Sequence, residues 1–186
     1  MKARRHNRFT YRMEFAVIRI RDWISPPTKA LADVGLRAGM TVLDFGCGPG
    51  GFSLAAAQLV GPEGRVYALD IQPLALKSVR RAAARRGLGN ILALDGSRLT
   101  EVPEGGVDMV LLFDVLHIGP QPGSARAMLD AAHHVLKPDG VLCVRDHHLH
   151  DEALANAVTG GGLFAAAGRE GATFLFAPKK TGKAAT

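Results

Sequence analysis

Leu43–Gly51 reads LDFGCGPGG, and the way this stretch is parsed sets the reading of the whole chain. The short apolar run MTVLDF leads into it, and the Ala-rich segment GFSLAAAQLV overlaps its end and continues past it. That succession is strand, glycine turn, helix. Two glycine spacings coexist in the turn. Gly46, Gly48 and Gly51 spell G-x-G-x-x-G, the pattern of a loop that seats a pyrophosphate on a helix N-terminus. Gly46, Gly48 and Gly50, preceded by Asp44, spell D-x-G-x-G-x-G. The acid at Asp44 separates the two readings, because it places negative charge beside the loop.

Outward from the loop, the same alternation repeats. GRVYALD is a second strand closing on Asp70, and Pro73 and Gly87 suit the first turn and the C-terminal cap of the helix after it. NILALD is a third strand closing on Asp95, and VDMVLLFD a fourth closing on Asp114. SARAMLDAAHHVL places Met128, Leu129, Ala132, Val135 and Leu136 on one helical face. KPDG reads as a turn, VLCVRD as a fifth strand and EALANAV as a last helix. LFAAAG and ATFLFAP flank REG and read as a closing hairpin. Strands alternating with helices predict an α/β fold with a parallel sheet, and the hairpin predicts an antiparallel edge. Upstream, Met13, Ala16, Val17, Ile20 and Ile24 form one face of a helix that ends at Ser25-Pro26-Pro27, and a short helix from Thr28 to Val34 stops at Gly35.

The 186 residues suit one domain. The expected division is a basic arm with lid helices over 1–36, the sheet domain over 37–178 and a loose tail over 179–186. Two cysteines, Cys47 and Cys143, argue against a disulfide scaffold and against a thiolate metal site, so no metal is expected and a reducing cytoplasm is the simple reading. The net charge of +6 is local: Met1 to Arg37 holds nine Lys/Arg against three Asp/Glu, and the remainder holds fourteen of each. A basic arm on a neutral body weakens a nucleic-acid reading.

VLDFGCGPGGFS, ALD at Asp70, LALDGS at Asp95, VDMVLLFDVLH and HVLKPDGVL resemble, in order and spacing, the successive motifs of class I S-adenosylmethionine (SAM)-dependent methyltransferases. Within that family the chain is most similar to the branch of ubiquinone and menaquinone biosynthesis methyltransferases. The resemblance covers about Arg37 to Asp146 and the terminal hairpin. It implies a Rossmann-like three-layer sandwich whose sheet has seven strands, mostly parallel with an antiparallel C-terminal strand. SAM would lie across the carboxyl ends of the strands, leaving S-adenosylhomocysteine as product.

Elementary electrostatics agrees. Asp44 would rest near a pyrophosphate, and like charges about 4 Å apart repel by roughly 1 kcal/mol even in water. A sulfonium and an ammonium are instead attracted. Carried over by position, Gly46, Cys47, Gly48 and Gly50 would carry the loop around the methionine moiety and Asp44 would help hold its amino group. Asp70 would take the ribose hydroxyls, Ile71 would lie against the adenine, and Asp95 with Gly96 would meet the adenine edge. Phe113 and Asp114 would line the methionine end.

Methyl transfer from a sulfonium needs chiefly alignment of two reactants, and a base only where the acceptor must lose a proton. His117, with Asp114, is the catalytic candidate after the fourth strand, although the related branch often carries a second histidine where Ile118 stands. His147 and His148 are candidates for lining the acceptor, and His150 follows them among acids of a helix start. FDVL stands where an N/D-P-P-Y/F tetrapeptide would mark a base or amide acceptor, so a small carbon, oxygen or nitrogen acceptor is expected. The alternatives are an RNA methyltransferase using the basic arm and a non-catalytic SAM-binding protein. The N-terminal helix, with Trp23, would roof the acceptor pocket or touch an anionic membrane surface. A monomer or a homodimer is expected.

Overall fold

The computed structural model describes residues 27–116 and 124–180. The arm through Pro26, with its helix and Trp23, lies outside the described residues, as do His117 and the last six residues.

The chain folds as α1 (Pro27–Asp33), β1 (Thr41–Phe45), α2 (Gly51–Val60), β2 (Arg65–Asp70), α3 (Pro73–Arg85) and β3 (Ile91–Asp95). A 3-10 turn (Gly96–Glu101) then leads to β4 (Val107–Phe113), α4 (Ser124–Val135), β5 (Leu136–Arg145), α5 (Asp151–Thr159), β6 (Phe164–Glu170) and β7 (Thr173–Pro178). The seven strands form one sheet in the order β3-β2-β1-β4-β5-β7-β6. Strands β1 to β5 run parallel, and β7 is antiparallel to both β5 and β6.

Alternation along the strands divides the core. Val42, Val66, Met109, Leu111 and Cys143 face α1 and α2, and pack with Leu31, Val34, Ala55, Ala56 and Val60. Leu43, Leu69, Val110, Leu112, Leu142 and Val144 face the other way, with Leu129, Ala132 and Val135 of α4 and Leu154 and Val158 of α5. Both faces of the central strands are therefore covered, as a parallel sheet requires. Each such leucine or valine contributes about 1.5–3 kcal/mol by leaving water. The alanines of α2 allow α1 to approach it closely, so the short α1 is part of the main core rather than an appendage.

KPDG is not a separate turn. It lies inside β5, where the register with β4 jumps from Val107↔Leu136 to Met109↔Val141. Lys137 Nζ, 2.5 Å from Asp108 Oδ1, holds this bulge against β4, while the other oxygen of Asp108 accepts from Thr41 N–H at 2.7 Å. The closing hairpin turns at Gly171-Ala172 rather than across REG: Arg169 and Glu170 pair within β6, and Gly171 supplies the φ of +57° that the tight turn needs.

The strand order reverses between β1 and β4. Loops leaving neighbouring strands in opposite directions open a crevice at the carboxyl ends there.

Candidate functional site

The loop after β1 is drawn over the end of β2. Gly46 and Cys47 both donate their N–H groups to Leu69 O, at 2.8 and 3.0 Å, and Gly48 N–H donates to Asp70 Oδ2 at 2.8 Å. The three glycines have different duties. A Cβ on Gly46 would stand 2.5 Å from Val115 Cγ1, and one on Gly50 2.6 Å from Val79 Cγ2, so both are needed for packing. Gly48 also has a positive φ, +51°, but a Cβ there would meet nothing within 4 Å. It is the glycine that borders open space. Cys47 is buried among Ala68, Leu76, Val79 and Ala93, and burial pushes its thiol far up, so it stays protonated.

Five aspartates stand at or next to the carboxyl ends of β1 to β5: Asp44, Asp70, Asp95, Asp114 and Asp146. Asp44 is only 3% exposed and accepts a 2.5 Å bond from Ser53 Oγ of α2. Burial raises its carboxyl to about 6; the bond from Ser53 opposes that rise and the nearby charge of Asp70 adds to it. Asp70 accepts from Gly48 N–H through one oxygen and from Gln72 N–H, at 2.8 Å, through the other. Its carboxyl is also raised by burial, against the pull of those amides. Asp95 caps the 3-10 turn, taking Ser97 N–H at 3.1 Å and Ser97 Oγ at 2.9 Å, and these bonds hold its carboxyl below the usual range. Beside these acids Ile71 is 75% exposed, the one large hydrophobic side chain so exposed among the described residues. Gly96 borders it, and a Cβ there would stand 2.9 Å from Ile71 Cγ2.

The ends of β4 and β5 are built differently. Phe113 meets Phe52 of α2 edge to face at 4.7 Å, and the Arg145 guanidinium lies 4.8 and 4.9 Å from the two ring centres. Asp114 has φ +56°, the sole non-glycine positive φ among the described residues. Its N–H donates to Arg145 O at 2.7 Å. Its Oδ1 lies 2.7 Å from His147 Nδ1 and accepts His147 N–H at 3.1 Å. Partial burial works to raise the Asp114 carboxyl, but the His147 bonds and the charges of His147 and Arg145 outweigh it, and the net shift is downward. His148 N–H donates to the buried Asp146 at 3.0 Å, and His150 is the N-cap residue of α5. No group of three or more His, Cys, Asp or Glu among the described residues is arranged to hold a metal ion.

Most of the rim residues were expected from the sequence; Ser53, Phe52 and Arg145 were not. Ser53 had a signal, lying in the helix's first turn nine residues after Asp44. Arg145 had one as well, a cation ending an apolar strand where β1 to β4 end on or beside an aspartate. Phe52 had none beyond its apolar type.

Residues 36–167 match the family described as Methyltransferase domain. The arginine N(omega)-methyltransferase of Streptomyces achromogenes subsp. streptozoticus is 32% identical over 142 residues, 70% of this chain and 39% of that protein. The demethylmenaquinone methyltransferase of Geobacillus kaustophilus is 32% identical over 109 residues, 58% of this chain and 45% of that protein. The chain thus spans less than half the length of these two relatives. A SAM-dependent methyltransferase from Aquifex aeolicus superposes with a TM-score of 0.69 at 25% identity, covering 82% of this chain and 88% of that one. The glycine loop with open space above Gly48 and the acidic rim are a fitting surface for a cofactor bearing two cationic groups, and the Aquifex aeolicus protein is named as dependent on SAM. With sheet order, loop and family match in agreement, the chain belongs to the class I SAM-dependent methyltransferases.

Proposed function

We propose that this chain binds SAM over the ends of β1 to β4 and transfers its methyl group to a carbon, oxygen or nitrogen of a small molecule. The observation that carries the reading is the acidic rim: Asp44, Asp70 and Asp95 stand on three adjacent strand ends around a glycine loop. A pyrophosphate would meet repulsion here, whereas a cation relieves the mutual repulsion of the carboxylates. The relatives named for arginine and demethylmenaquinone carry small-molecule acceptors in their names, which supports a small acceptor.

When bound, SAM supplies an electrophilic methyl on a sulfonium. The chain's residues bind, orient and exclude water. Gly48 lets the loop backbone approach the methionine portion. Gly46, Cys47 and Gly50 set the shape of that loop from behind. Asp44, held by Ser53, places negative charge beneath the amino group. Asp70 is pre-positioned by Gly48 and Gln72 to receive ribose hydroxyls. Ile71 and Gly96 offer an apolar face and a close approach to the adenine, and Asp95 lies at its edge. Phe113 and Asp114 border the reacting end.

A thermal-shift comparison of SAM, S-adenosylhomocysteine and NAD tests this reading. Stabilisation by the first two and not by NAD is expected. Stabilisation by NAD alone would overturn it.

A further inference from the structure

We propose that Asp114 and His147 act as one unit, in which Asp114 is the positioning residue and His147 Nε2 is the base that takes a proton from the methyl acceptor. This rests on the methyltransferase reading above and narrows it to acceptors whose nucleophilic oxygen or nitrogen carries a proton.

The pairing is made by the sheet. The register Phe113↔Arg145 sets the ends of β4 and β5 side by side, and the residues that follow meet across the gap. Asp114 holds a left-handed φ of +56° that is unfavourable for a side-chain-bearing residue, and such outliers gather at functional sites. The strained turn directs its carboxylate at His147. One oxygen, Oδ1, engages both the backbone N–H and the ring Nδ1 of that histidine. Two bonds to one oxygen fix the position and the rotation of the ring together. An ionised carboxylate only accepts, so Nδ1 carries the hydrogen and Nε2 presents its lone pair. Two other charged groups flank the pair among the described contacts. Arg145 lies against Phe52 and Phe113, and Asp146 accepts from the backbone of His148. A carboxylate that orients an imidazole whose far nitrogen works as a base is a recurrent catalytic arrangement.

The proton balance is simple. The acceptor's O–H or N–H bond breaks, and its proton passes to Nε2. The electron pair stays on the acceptor atom, where it forms the bond to the methyl carbon, and the carbon–sulfur pair leaves with the sulfur of the donor. His147 ends as imidazolium, with Asp114 compensating its charge.

The test has two independent arms. In the first, two-bond ¹H–¹⁵N spectra at pH 8 report the tautomer of His147, assigned with His147→Gln. The Nδ1–H form is expected in the native chain, with a shift toward Nε2–H in Asp114→Asn, a residue tolerant of the same φ. A native chain in the Nε2–H form overturns the pair. In the second arm, S-adenosylhomocysteine release is scored over phenols, primary amines and guanidines, with thioethers and pyridines as acceptors lacking such a proton. His147→Gln is expected to lose at least a hundredfold in kcat and the acid limb of the pH profile, with SAM affinity within twofold. Asp114→Gly, which relieves the strained φ and removes the carboxylate, is expected to lose at least tenfold. His134→Gln on α4 should match the native chain. A His147→Gln variant within threefold of native, or turnover confined to thioethers and pyridines, overturns the pair. A native chain that binds no SAM and releases no S-adenosylhomocysteine overturns the methyltransferase reading itself, and the tautomer then judges the pair alone.

Discussion

The two halves of the rim hold their charges by different means. Over β1 to β3, most carboxylate contacts are made within nine residues, Asp70 to Gln72, Asp95 to Ser97 and Asp44 to Ser53, with Gly48 of the glycine loop added on Asp70. Over β4 and β5 the partners come from distant parts of the chain, as His147 meets Asp114 and Arg145 lies over Phe52 and Phe113. The first half is acidic and rests on glycines that adopt positive φ at little cost. The second mixes both signs of charge and keeps an aspartate in a conformation that glycine would adopt more readily. The β1 to β3 half is thus built largely on the backbone geometry of the glycine loop, and the β4 to β5 half on side-chain pairing.

Breaking the glycine loop should have the largest effect. Gly50→Ala combines a φ of +93° with a Cβ 2.6 Å from Val79, so overpacking adds to backbone strain. A loss of about 2–5 kcal/mol in unfolding free energy is expected by urea denaturation. Gly48→Ala carries only the backbone term, about 1–2 kcal/mol, but should weaken SAM binding more than Gly50 variants that still fold. Equal stability losses in the two variants would erase the distinction between packing and ligand-facing glycines.

Asp44 sharpens the comparison through pH. Its folded carboxyl stands at about 6 against an ordinary 3.8, so between those values the folded state holds the proton more tightly than the unfolded one. The contribution of this group to stability is therefore greatest below about pH 4, falls as pH rises through 6, and levels off above. The swing is roughly 3 kcal/mol for a fully buried group. Asp44→Asn, still able to accept from Ser53, should flatten that slope and stabilise the ligand-free chain at pH 8, while weakening SAM binding. Urea midpoints against pH would measure it. An Asn variant less stable than native at pH 8 would show that the buried charge is compensated.

Asp70→Ala removes the anchor of Gly48 and the acceptor proposed for the ribose. Calorimetry should give at least a tenfold weaker SAM affinity, within the roughly 1.5–3 kcal/mol of a lost bond to a charged group. Unchanged affinity would refute the assignment. The smallest stability effect belongs to Ile71→Ser. At 75% exposure the side chain supports little of the core, so stability should move by less than about 0.5 kcal/mol, while SAM affinity falls severalfold. A large stability change would place Ile71 in the core rather than in the site.

Much of this was legible in the chain. Every strand but the last announced itself as an apolar run ending beside an acid or a glycine, and the positions of the glycine loop, Asp70 and Asp95 at strand ends were legible without a structure. The KPDG bulge was not, because Lys137 becomes a strut only when Asp108 lies beside it in the neighbouring strand. The separate duties of Gly46, Gly48 and Gly50 were equally hidden. All three read as turn glycines, and only the positions of Val115 and Val79 show which of them are packed from behind.

The amino-acid sequence by itself determined the order of elements, the parallel sheet with its antiparallel edge, and the acidic character of one rim. Those properties rest on local periodicity, turn chemistry and charge, which act between near neighbours in the chain. Tertiary structure alone decided that Asp44 lies buried against Ser53, that Arg145 rests between two rings, and that Asp114 takes hold of His147. Each of these depends on strand register and helix placement, because burial and directional hydrogen bonds are set by distances between groups that the chain holds far apart until it folds.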